Sequence, residues 1–149
     1  MTKLSRTLLI AAGLSVLAGV GCSPGDPPPV EQILLDLKSH LGKRVTFKAR
    51  FKSGARCRMD DPEAEWKTYC KDCQYCRGPL VVDTHLDLRK EGLDDWPMVL
   101  GGTYEGADVR CKGPLDQVVC HPLQPGKEYV VRGLLTDQSP PKLILEKVW

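Results

Sequence analysis

KRVTFKARFK, residues 43 to 52, alternates without a break. Val45, Phe47, Ala49 and Phe51 fall on one side of an extended chain, and Arg44, Thr46, Lys48, Arg50 and Lys52 on the other. A period of two over ten residues describes a strand with one face in a core and the other in water. That in-and-out pattern belongs to antiparallel sheets, so a β-domain is predicted around this strand. Its outer face places Arg44, Lys48, Arg50 and Lys52 in one row, a candidate anion-binding stripe unless acidic residues on a neighbouring strand neutralise it.

Downstream, LVVDTHLDLR (residues 80 to 89) alternates as well, with Asp83, His85 and Asp87 on the polar side. If the two strands pair, Asp83 and Asp87 face Lys48 or Arg50, each pair contributing about 0.2–1 kcal/mol. The same three residues offer metal ligands, but neighbours on one strand face stand nearly ~7 Å apart and a third element would have to close the site. No metal is predicted. Residues 89 to 97 read as a polar loop anchored by Trp96. Ala107 to Cys111 and Gln117 to Cys120 read as hairpin arms about Gly113 and Pro114. Two final strands, 128 to 136 and 142 to 149, are joined by DQSPP, and their near-continuous apolar runs predict burial on both faces. Upstream, Val30, Ile33, Leu34, Leu37 and Leu41 recur at helical spacing. This predicts one amphipathic helix over residues 30 to 40, stopped by Gly42, with His40 favourably placed in the last turn.

The order of these pieces, GKRVTFKARF, then a middle hairpin, then GKEYVVRGLL and PPKLILEKVW, resembles small OB-fold barrels of exported bacterial proteins. The likeness runs over most of residues 41 to 149. The helix that many OB-folds carry between their third and fourth strands has no counterpart in the sequence. The fold expected is therefore an all-β, mostly antiparallel, OB-like barrel behind one N-terminal helix, forming a single domain over residues 30 to 149. The resemblance implies binding of nucleic acid or sugar, although a fold does not decide a function.

The first 21 residues read as an export signal: Lys3 and Arg6 precede an apolar run from Thr7 to Val20, too short for a permanent span. LAGVGC, residues 17 to 22, resembles the lipobox of bacterial lipoproteins, which implies acylation of Cys22 and anchoring to a bilayer. SPGDPPP, residues 23 to 29, is a proline-rich tether; at roughly 3.1 Å per residue it holds the domain on the order of 20 Å from the membrane. Ser23 after the cysteine resembles the outer-membrane sorting pattern, facing the periplasm. Losing Lys3 and Arg6 leaves 19 basic against 19 acidic residues. Overall charge thus gives no argument for a nucleic-acid or acidic-lipid partner.

Without Cys22, six cysteines remain: Cys57, Cys70, Cys73, Cys76, Cys111 and Cys120, an even number suited to disulfides in an oxidising compartment. Structural bridges are one chemistry. A redox C-x-x-C pair is another, with Lys71 and Arg77 as basic neighbours but no βαβ pattern around it. Metal binding is a third, lacking the fourth cysteine before proline that completes a ferredoxin motif. The hairpin pairs Cys111 with Cys120. Of the arrangements left, Cys57–Cys76 with Cys70–Cys73 clamps neighbouring strand ends, and its rival joins Cys57 to Cys70 or Cys73. No G-x-S-x-G or H-E-x-x-H motif is present. The reading is a non-enzymatic, membrane-tethered binding or structural module of the envelope, without cofactor, with a thiol–disulfide oxidoreductase as the alternative. An anionic glycan or an envelope protein is the expected partner, with Trp66, Tyr69 and Tyr75 as stacking surfaces. The compartment disfavours nucleic acid.

Overall fold

Ten alternating residues make a strand about 33 Å long, and in the computed structural model of the chain that one strand, β1 (Arg44–Ser53), serves two neighbours. Residues 25–59, 63, 65–68, 70–86 and 96–149 are described; the leader, Cys22 and Asp87 lie outside them. The first part of β1 pairs antiparallel with β10 (Glu128–Thr136), from Arg44 opposite Leu134 to Arg50 opposite Glu128. Its last part pairs with β4 (Leu80–Asp83), from Arg50 opposite Asp83 to Ser53 opposite Leu80. β10 continues antiparallel to β11 (Lys142–Val148), β11 lies parallel to β5 (Val99–Gly101), and β5 returns antiparallel to β4. Five strands thus close in the order β1-β10-β11-β5-β4, the small OB-like barrel expected.

The apolar side of β1 fills the interior. Phe47 and Phe51 are completely buried, together with Leu80, Val82, Leu100, Val131, Leu135 and Leu143, each large side chain contributing about 1.5–3 kcal/mol. At Gly133 the β10–β11 register shifts, and a Cβ there would stand 2.3 Å from the Ile144 carbonyl oxygen, so the bulge needs glycine. β10 and β11 differ from expectation. Val131 and Leu135 point inward while Val130 and Leu134 are half-buried outside, so these strands are covered on one face rather than two. Apolar residues on the outer wall mimic the pattern of a doubly covered strand.

Two long connections build a second layer. β2 (Arg56–Arg58) and β3 (Tyr75–Gly78) come from the connection between β1 and β4. β8 (Arg110–Pro114) and β9 (Val119–His121) come from the one between β5 and β10, where many OB-folds place a helix. They join in the order β2-β3-β8-β9. The β8–β9 hairpin turns after Pro114 rather than at Gly113–Pro114. Ala107 and Asp108 belong instead to a smaller hairpin, β6 (Thr103–Tyr104) with β7 (Ala107–Asp108), whose turn holds Glu105 and Gly106 at positive φ. β4 ends at Asp83, shorter than the alternation suggested.

The N-terminal segment is two short helices, α1 (Val30–Leu35) and α2 (Leu37–His40), instead of one. Asp36 leaves helical geometry at φ −124° and accepts hydrogen bonds from Ser39 at both its carbonyl and its carboxylate, the local competition with helix that Asp and Ser offer. Val30, Ile33 and Leu34 of α1 are buried in the barrel core. Just before them, the Lys48 amide donates to the Pro28 carbonyl, so the tether meets the barrel at the middle of β1.

Candidate anion-binding groove

Alternation in the second layer separates two chemistries. Cys57 stands opposite Cys76 on β2 and β3, Cys111 opposite Cys120 on β8 and β9, and both pairs are bridged on one face of the layer, Cys111–Cys120 packing with the barrel core and Cys57–Cys76 with Cys73. All four are buried, so disulfides fill the space that apolar side chains of so small a sheet could not. Cys57 exchanges both backbone hydrogen bonds with Lys67 on its other side, at 2.8 Å each, which makes Cys57–Cys76 a non-hydrogen-bonded cross-strand pair. Cα atoms approach most closely at such pairs. The third bridge, Cys70–Cys73, lies within the loop. The six cysteines therefore adopt the clamped arrangement.

The residues between the cysteines face outward, and they are basic. Arg56 stands in register with Arg77, Arg77 with Lys112, and Lys112 with Val119, so three cations lie side by side on adjacent strands. Neighbouring strands are only ~4.8 Å apart, and like charges directly opposite destabilise a sheet. Among the described residues, none of these three has a carboxylate partner. Two arginines are instead stacked on indoles: the Arg56 guanidinium lies 5.3 Å from the centre of the Trp96 ring, and that of Arg77 4.4 Å from Trp66, which also holds Arg58 at 4.8 Å. Trp66 is brought there by its neighbour Lys67, whose backbone pairs with Cys57 at the free edge of β2.

Arg56 and Arg77, at one end of this row, border a groove of about 700 Å³ against the barrel wall. Its floor is Val99–Gly102 of the barrel wall, and its rim carries Arg56, Trp66, Arg77, Trp96, Arg110 and Lys142. Lys142 reaches it across β5, because a Cβ at Gly101 would stand 2.2 Å from the lysine Cε; glycine there leaves the path open. Among the described residues its lining holds one carboxylate, Asp108, and it is ion-paired with Arg110. The other three rim cations, Arg56, Arg77 and Lys142, have no carboxylate partner among the described residues.

The row on β1 has a different character. Arg44 is bonded to Glu146 at 3.0 and 3.2 Å, Lys48 pairs with Asp26 and Lys52 with Asp83 at 3.8 Å, and Arg50 stands in register between Glu128 and Asp83. The stripe forms, with acidic residues at every step. Among the described residues, no group of three or more ligating side chains gathers around Asp83 and His85.

Sequence reasoning missed Arg56, Trp96, Arg110 and Lys142 as groove residues, and Lys112 beside Arg77 in the row. It named Trp66, Tyr69 and Tyr75 as stacking surfaces, of which Tyr69 lies outside the described residues, and Arg77 as a neighbour of thiols. The signal was available: once Cys57 is paired with Cys76 across an antiparallel ladder, Arg56 must face Arg77. In sequence and in structure, the chain matches no family model, no curated protein and no solved structure.

Proposed function

We propose that this chain is an exported, Cys22-acylated lipoprotein of a bacterial envelope, whose barrel is a non-enzymatic module that binds an anionic ligand in the arginine–tryptophan groove. The observation that carries the reading is the stacking of Arg56 on Trp96 and of Arg77 on Trp66, without a carboxylate partner among the described residues. Stacking fixes the plane of a guanidinium and keeps its in-plane N–H edge available to grip an oxyanion with two hydrogen bonds. A fold that only needed a staple would gain nothing from cations aligned across three strands.

The lipobox-like leader and the proline-rich tether support the anchoring half of the proposal. An acidic glycan is the ligand class that suits the compartment. Calorimetric titration with oligogalacturonate at low salt tests it. Binding is expected to fall at least tenfold in Arg56→Ala/Arg77→Ala and to change little in Lys48→Glu/Arg50→Glu. Equal loss in both variants would relocate the site to the β1 stripe, and no binding at any salt concentration refutes the reading.

A further inference from the structure

The proposed groove deepens into a statement about ligand shape, resting on the reading just given. We infer that the ligand is a linear acidic glycan with about one carboxylate or phosphate per sugar ring, running out of the groove across β2, β3 and β8 so that successive rings meet Arg56 and Arg77 at the groove and Lys112 beyond it.

Spacing carries the inference. Register places the three cations on adjacent strands, hence ~4.8 Å apart, a step close to the length of one sugar ring. A single small anion satisfies one or two of them and leaves the rest repelling each other. A chain with regularly repeated charge relieves the whole row. The row is also rigid for a surface feature, since the Cys57–Cys76 and Cys111–Cys120 bridges sit directly behind it.

Two further observations choose a glycan over other polyanions. Single-stranded nucleic acid is held by bases stacking on open aromatic faces, yet Trp66 already holds two arginines and Trp96 one. The aromatic groups here serve the cations. A membrane surface is disfavoured by the tether: it joins the barrel at Lys48 on β1, whereas the groove lies along β5 and the start of β11, which are not neighbours of β1 in the barrel order. A tether that enters at Lys48 therefore gives the groove no direct contact with the bilayer.

The test is calorimetry with galacturonic acid and its linear oligomers of increasing length, using the full mature chain, against single-stranded DNA of matched charge. Affinity is expected to rise about fivefold with each ring up to the third. Lys112→Gln, an exposed substitution, should remove the gain from the third ring, leave the two-ring affinity unchanged, and make the slope of log affinity against log salt shallower by about one. A monomer that binds as tightly as the trimer overturns the row while leaving the anion groove intact, as does a Lys112→Gln loss that is the same at every length. Tighter binding of the DNA overturns the glycan assignment. Absence of binding by every anion overturns the row and the groove together.

Discussion

Replacing Lys112 by glutamine is expected to stabilise the fold while weakening binding of ligands long enough to reach past Arg77. In the folded chain Lys112 lies in register with Arg77, without a carboxylate partner among the described residues. Two unit charges ~5 Å apart repel by about 0.8 kcal/mol in a water-like dielectric. Long side chains splay and counterions gather, so the net gain from removing one charge is about 0.2–0.8 kcal/mol. Glutamine keeps most of the stem and loses only the charge. Urea denaturation at ~20 mM and ~1 M salt reads the effect, because the Debye length falls to ~3 Å at 1 M. With a slope of about 1–1.5 kcal/mol/M, the midpoint should rise by about 0.1–0.8 M at low salt and return to the parent value at high salt. A midpoint that falls at low salt, or a rise that persists unchanged in 1 M salt, refutes the argument that this row is held against electrostatic repulsion.

The bridges should rank by the loop each closes. Cys57 and Cys76 are 19 residues apart and Cys70 and Cys73 only 3, so chain entropy predicts losses of about 3 and about 2 kcal/mol for the respective double alanine variants, measured by denaturation. The first should also loosen the groove, and oligogalacturonate binding should fall with it; binding preserved at full strength would show that the clamp does not position Arg56 and Arg77. For the anchor, intact mass of the mature protein is expected to begin at Cys22 with acyl mass added, and Cys22→Ala is expected to separate from membranes on fractionation. A mature chain that begins elsewhere without acyl mass sinks that claim.

The barrel was legible because its strongest signals are local. β1 declares itself by ten alternating residues, and the ends of β10 and β11 are marked by the SPP turn and by Gly126. Local pattern fails where a tertiary neighbour decides. Val130, Leu134 and Ile144 read as core, yet they lie half-buried on the outer wall. The helix over residues 30 to 40 satisfied the spacing rule throughout, but Asp36 and Ser39 found each other and broke it. Gly113–Pro114 carried a turn signature, and the chain continued through it in strand because Cys76 lies opposite Gly113 in the ladder.

The groove illustrates a different kind of illegibility. Its cations lie at positions 56, 77, 110 and 142, with Lys112 next to Arg77 in the ladder, so no window of sequence contains them, whereas the β1 stripe is visible in a single stretch of ten. The stripe invited a functional reading because its charges are adjacent in sequence, yet each charge has an acidic neighbour on β4, β10, β11 or the tether. The groove's charges are dispersed in sequence and concentrated by the cross-strand bridges. Sequence clustering records what one strand presents to solvent; only register shows whether the next strand answers it. In the second layer the answer to an arginine is another arginine and then a lysine. Because such a row costs stability, its retention calls for a compensating contact, and the groove beside it offers space for one.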